Sequence, residues 1–219
     1  MISMTPRKDI SMHRTVLTPV FSVLLTLCVG AGIFAVLGYD PSAALYQFFV
    51  APLSRPDQVA DLLVKAWPLI IIATGLAFCY RANVWNIGAE GQIVMGAVCA
   101  GGVALFFPAI PDLLMMPAMV VASIAGGMAL AFIPGILKTR FNTNEILVSL
   151  MLTYVAALFI DWLVRGPWRD PESFGVPLTK SYGEAALIQR VELPGIGTIG
   201  QLHWGVVTAL LLAVAAYFV

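Results

Sequence analysis

The stretch Leu113-Leu-Met-Met-Pro-Ala-Met-Val-Val-Ala-Ser-Ile-Ala-Gly-Gly-Met-Ala-Leu-Ala-Phe-Ile-Pro-Gly-Ile-Leu137 carries no charged side chain from one end to the other. A helix needs about 20 such residues to cross a hydrocarbon core roughly 30 Å thick. Only helices and closed barrels satisfy their backbone in lipid, and the apolar positions here are continuous rather than alternating, which selects the helix. Five more runs of this kind lie on either side, Thr15 to Leu37, Ala66 to Tyr80, Ile93 to Phe107, Ile146 to Val164 and His203 to Val219. The expected fold class is all-α, a polytopic integral membrane helical bundle with about six transmembrane helices.

Composition agrees with the runs. The 219 residues are 60% hydrophobic and 11% charged, with 12 Lys plus Arg against 12 Asp plus Glu. A soluble domain carries about 25% charged residues, so a soluble enzyme is excluded. A nucleic-acid partner is excluded too, because a net charge of zero offers no basic field to phosphate. Cys28, Cys79 and Cys99 each sit in an apolar run without Cys-x-x-Cys spacing and read as small buried hydrophobes, so no metal site and no cofactor are expected. The first run is longer than a signal-peptide core and reads as a retained span.

The chain is expected to be a single transmembrane domain over 1–219, with a cytoplasmic segment 1–14 and an external loop 165–201. Its last apolar run reaches the final residue, which suggests the N-terminal part of something longer. Arg7, Lys8, Arg14, Arg81, Lys138 and Arg140 fall in three short segments on one side, a mild bias toward an inside N-terminus. The second run is short, about 22 Å at 1.5 Å per residue. Upstream, Ser54-Arg-Pro-Asp57 resembles a capping box, and Val59, Leu62, Leu63 and Ala66 follow helical spacing, so an amphipathic helix is expected to run on into the span. Lys65 would snorkel to the headgroups, and Pro68 leaves the Val64 carbonyl without its usual donor and is expected to kink the helix.

Polar residues concentrate in Asn83-Val-Trp-Asn-Ile-Gly-Ala-Glu-Gly-Gln92. This is either an interrupted helix that offers amides and polar side chains to a solute, or a cytoplasmic turn with Asn and Gly as caps. Asn142-Thr-Asn-Glu145 precedes the fifth run; Asn142 or Asn144 suits a helix N-cap and Glu145 the helix macrodipole, with a partner contact by Asn144 and Glu145 as the competing idea. Asp161, in the outer part of the fifth run, is best explained by an i,i+4 pair with Arg165 rather than as an ion site. Small residues from Ala122 to Ala131 permit close helix contact.

Gly195-Ile-Gly-Thr-Ile-Gly200 matches the dinucleotide pattern but lacks the strand and amphipathic helix that the pattern needs. No Gly-x-x-x-x-Gly-Lys phosphate loop, His-Glu-x-x-His or Gly-x-Ser-x-Gly motif is present, so no catalytic residue is expected. His13 and His203 flank spans and read as interfacial.

Arg81-Ala-Asn-Val-Trp-Asn-Ile-Gly-Ala-Glu-Gly-Gln92, Thr143-Asn-Glu-Ile-Leu-Val-Ser-Leu-Met-Leu-Thr-Tyr154, Gly166-Pro-Trp-Arg-Asp-Pro171 and Leu202-His-Trp-Gly205 together resemble the permease subunits of bacterial ABC importers for nucleosides and simple sugars, the branch served by basic-membrane-protein-type lipoprotein receptors. The likeness extends from about Pro56 onward. It implies a bacterial inner-membrane subunit of the ten-helix class without its own ATPase site. Its partners would be a second permease subunit, two ATP-binding subunits and an external solute-binding lipoprotein, and its substrate a small polar solute. The substrate path would then use Asn83, Trp85, Asn86, Glu90 and Gln92, Trp85 stacking on a base or sugar face and the others exchanging hydrogen bonds. Two departures stand out: Thr153 replaces the common Asn, and these 219 residues are expected to stop short of the segment that couples relatives to the ATPase. A secondary transporter, a channel or a non-transporting scaffold are the competing readings.

Overall fold

A computed structural model of the chain describes residues 12–193 and 197–218. Arg7, Lys8 and most of the proposed cytoplasmic segment lie outside the described residues. By its contacts the chain forms two compact units, one ending at Leu62 and one from Leu63 onward.

In the first unit, α1 (Met12–Val36) is a 25-residue helix that continues through Pro19. Its Ser22 and Thr26 hydroxyls donate to the Thr18 and Ser22 carbonyls, at 2.9 and 2.8 Å, so they need no water in lipid. α2 (Pro41–Leu45) starts at Asp40, whose carboxylate accepts from the Ser42 amide and hydroxyl; these bonds hold the carboxyl below its ordinary pKa. A π-helical turn (Tyr46–Val50) leads into α3 (Ala51–Ser54), and Phe48 approaches Phe34 of α1 with ring centroids 6.0 Å apart.

The expected amphipathic segment and the short second run form one helix, α4 (Pro56–Arg81), 26 residues long and unbroken through Pro68. That length, about 39 Å, solves the shortfall of the second run. The capping box is not made. Ser54 belongs to α3 and donates to the Val50 carbonyl, while the Arg55 guanidinium pairs with Asp57 at 2.8 Å.

The second unit continues with α5 (Ala89–Phe106), α6 (Asp112–Phe141), α7 (Glu145–Arg165) and α8 (Trp204–Tyr217). Among the described residues, five helices are long and apolar enough to cross a membrane: α1, α4, α5, α6 and α7. The sixth run appears as the 14-residue α8, about 21 Å long. Such a set of helices makes the chain a multi-pass membrane protein.

α5 and α6 are the principal packed pair, and small residues set their approach. A Cβ at Gly96 would lie 2.8 Å from Ser123 Oγ, and one at Gly126 would lie 2.8 Å from the Met95 carbonyl oxygen. At the other end of α7, Arg165 Nε donates to both Asp161 oxygens, at 2.8 and 2.9 Å, as the i,i+4 spacing predicts.

The 165–201 loop contains strand pairing that the chain's helical character hides. β1 (Arg190–Leu193) and β2 (Gly197–His203) form an antiparallel hairpin with Arg190 opposite His203 and Glu192 opposite Thr198. The polar-apolar alternation of Arg190-Val-Glu-Leu193 is the period-two signal for it. The described part of the Gly-x-Gly-x-x-Gly match lies in β2 of this hairpin and opens no helix, which removes the dinucleotide reading. His203 Nδ1 caps α8 by accepting from the Gly205 amide, and its ring meets Trp67 of α4 edge-on at 5.4 Å. Farther up the loop, Trp168 and the Tyr182 hydroxyl rest against Gly101 of α5, where a Cβ would find the hydroxyl at 2.8 Å.

Candidate functional site

α4 ends at Arg81, α5 begins at Ala89, and α6 hands over to α7 through residues 142–144. The short connections bring the ends of four helices together. Asn83, the residue that turns the chain after α4, has φ 55°, a left-handed conformation that Asn tolerates better than most residues. Asn142 does the same after α6, with φ 52°. Asn144 is the N-cap of α7, its side-chain oxygen accepting from the Ile146 and Leu147 amides at 3.0 and 3.3 Å. Of the two asparagines that suited an N-cap, Asn144 takes that place, and Asn142 ends α6 as its C-cap.

Glu145 pairs with Lys138 of α6 across that turn. Both groups are partly covered, with 15% of the Glu145 and 34% of the Lys138 side chain exposed. The pair thus ties the end of α6 to the start of α7.

Within that connection, Asn86 and Gln92 face each other as a reciprocal amide pair. Asn86 Nδ2 donates to Gln92 Oε1 at 3.3 Å, and Gln92 Nε2 donates to Asn86 Oδ1 at 3.2 Å. The same Asn86 oxygen accepts from the Gly88 amide at 2.9 Å, closing an Asx turn just before α5. Each side-chain amide keeps one N–H outside these bonds, available in principle to a solute.

Two clefts meet at this pair. One, of about 370 Å³, runs between α4, α5 and α6 and is walled mainly by apolar groups such as Ile71, Leu76, Ile124 and Met128. The other, of about 200 Å³, is more polar at its far side, where Lys138, Thr139, Glu145 and Ser149 line it. Asn86 and Gln92 line both clefts, with Cys79 and Ala131 beside them.

The remaining sequence candidates sit elsewhere on the same connection. Trp85 is 54% exposed and lies against Tyr80 with ring centroids 5.4 Å apart. Asn83 and Glu90 are exposed, and neither they nor Trp85 lines these two clefts.

One residue outside the candidate set carries much of the local geometry. Ser149 of α7 is 2% exposed; its Oγ accepts from the Ile87 amide at 3.3 Å and donates to the Ile146 carbonyl at 3.1 Å. Beside it, Gly88 and Gly91 approach α7 so closely that a Cβ would lie 2.9 Å from Ser149 Cβ or 2.8 Å from Thr153 Cα. The hydroxyl within Ile146-Leu-Val-Ser-Leu-Met151 is the sequence signal that could have found it. Thr153 donates to the Ser149 carbonyl at 3.1 Å, so its hydroxyl is used within the helix.

Residues 58–219 match the family model described as branched-chain amino acid transport system / permease component. The chain is 31% identical over its whole length to the glucose ABC transporter permease protein of Haloferax volcanii, covering 58% of that protein. It is 29% identical over 93% of its length to the guanosine ABC transporter permease protein of Bacillus subtilis, covering 57% of it. It is 32% identical over 69% of its length to the nucleoside ABC transporter permease protein of Lactococcus lactis, covering 42% of it. The chain therefore spans about half the length of these curated relatives. No solved structure matches it.

Proposed function

The chain belongs to the family described as branched-chain amino acid transport system / permease component, and from that premise we propose that it is a transmembrane permease subunit of an ATP-binding-cassette importer for a neutral polar solute, a nucleoside or simple sugar. The observation that carries the reading is the Asn86–Gln92 amide pair where the two clefts meet. Amide groups exchange hydrogen bonds with hydroxyls and ring nitrogens without demanding charge. The charges that line the smaller cleft, Lys138 and Glu145, are satisfied by each other, which leaves little to hold the carboxylate and ammonium of a free amino acid. The relatives named for glucose, guanosine and nucleosides agree with that preference.

In this proposal Asn86 and Gln92 line the substrate path, while Asn83, Trp85 and Glu90 flank its approach. Residues 1–219 belong to one transmembrane domain of the bacterial inner membrane, with 1–14 cytoplasmic and 165–201 external. The subunit works with a second permease subunit, ATP-binding subunits that hydrolyse the nucleotide, and an external solute-binding lipoprotein. ATP-driven movement of packed helices as units would expose the clefts alternately to the two sides.

The test is uptake of labelled nucleosides and pentoses by cells with or without the complete gene, with and without ATP depletion. Gene-dependent and ATP-dependent uptake supports the importer. Uptake that survives ATP depletion and collapses with the ion gradient points to a secondary transporter. Replacing Asn86→Ala and Glu90→Gln should lower uptake at unchanged membrane abundance, and unaltered uptake sinks their role in the path.

A further inference from the structure

We infer that Ser149 is a positioning residue for substrate recognition, acting on the solute through the Asn86–Gln92 pair; the inference rests on the transport reading above. Three observations converge on it. Ser149 is a buried polar side chain, and its hydroxyl receives the amide of Ile87, the residue directly after Asn86. The hydroxyl also donates to the Ile146 carbonyl, so it is held in one orientation with its lone pair toward the connection. Finally, Gly88 and Gly91 bring the connection and the start of α5 against Ser149 and Thr153 without space for a Cβ, so that the Ile87 amide comes within reach of the Ser149 hydroxyl with no side chain between the two segments.

The consequence is geometric. Asn86 holds the Gly88 amide and Gln92 with one oxygen, so its direction depends on where the Ile87 and Gly88 peptides sit. Ser149 fixes the first of these peptides from a helix whose sequence position is 62 residues away. Because Ser149 Oγ is occupied by Ile87 and Ile146, it need not touch the solute to matter. Removing the hydroxyl frees the Ile87 amide, lets the connection shift, and misaligns the two amides that receive the solute.

The test is a double-mutant cycle in the complete transporter, reading KM and maximal rate of ATP-dependent uptake together with membrane abundance. Ser149→Ala should raise KM about three- to tenfold, the worth of one ordinary hydrogen bond, with maximal rate and abundance near wild type. In a Gln92→Leu background, where the amide pair is already gone, Ser149→Ala should change KM less than twofold, because coupled residues are not additive. A general structural role predicts the opposite, an additive loss accompanied by lower abundance. If Ser149→Ala does not accumulate in the membrane, Ser149→Cys, which keeps the volume and weakens the acceptor, runs through the same cycle. Wild-type uptake with an additive cycle or an unchanged KM overturns the positioning role alone. Absence of any wild-type uptake of nucleosides or sugars overturns the transport reading and this inference with it.

Discussion

A methyl group at Gly126 tests how tightly α5 and α6 are bound to one another. Its Cβ would lie 2.5 Å from Cys99 Sγ, 3.0 Å from Cys99 Cβ and 2.8 Å from the Met95 carbonyl oxygen. The thiol can rotate away, but the carbonyl belongs to the backbone of α5, so relief requires the two helices to separate. Overpacking of this kind costs about 1–3 kcal/mol. Alanine also gains up to about 1 kcal/mol over glycine in a helix interior, which hides part of the clash. Gly135→Ala on the same helix supplies the reference, because a Cβ there meets nothing within 4 Å. Both variants share the propensity gain, so their difference isolates the contact. Gly126→Ala should be less stable than Gly135→Ala by about 1–3 kcal/mol. Thermal melting of the purified complete protein in detergent measures the order of the two. Adding Cys99→Ala to Gly126→Ala should recover only part of the loss, since the Met95 carbonyl stays in place. A Gly126→Ala variant that melts at or above Gly135→Ala refutes the close-packing argument for this helix pair.

Two further expectations concern α7. Asn144→Ala removes the acceptor of two first-turn amides and should cost about 0.5–2 kcal/mol of stability, with Asn144→Asp or Asn144→Ser close to wild type; a melting temperature unchanged by alanine counts against the cap. Asp161→Asn should leave ATP-dependent uptake intact and shift stability by less than about 1 kcal/mol, because its pair with Arg165 is exposed at the end of α7; loss of uptake in this variant, measured at normal abundance, makes Asp161 a coupling-ion site.

The positions of the spans were legible without a structure because absence of charge over twenty residues is a local property, and lipid leaves the backbone few alternatives to a helix. The same holds for Asp161 with Arg165, for the small residues of α6, and for the helical spacing that carries α4 upstream of its short apolar run. These depend on neighbours within one or two turns.

What the tertiary structure decided was the partner of each polar group. Asn83 and Asn86 are close in sequence and alike in chemistry, yet one turns the chain on an exposed surface and the other meets Gln92 where two clefts join. Ser149 gained its role only when α7 was brought against the connection after α4. The physical reason is the cost of burying an unpaired donor or acceptor. Local sequence determines that a helix crosses the membrane, whereas the satisfaction of a buried amide depends on whichever distant group folding carries to it.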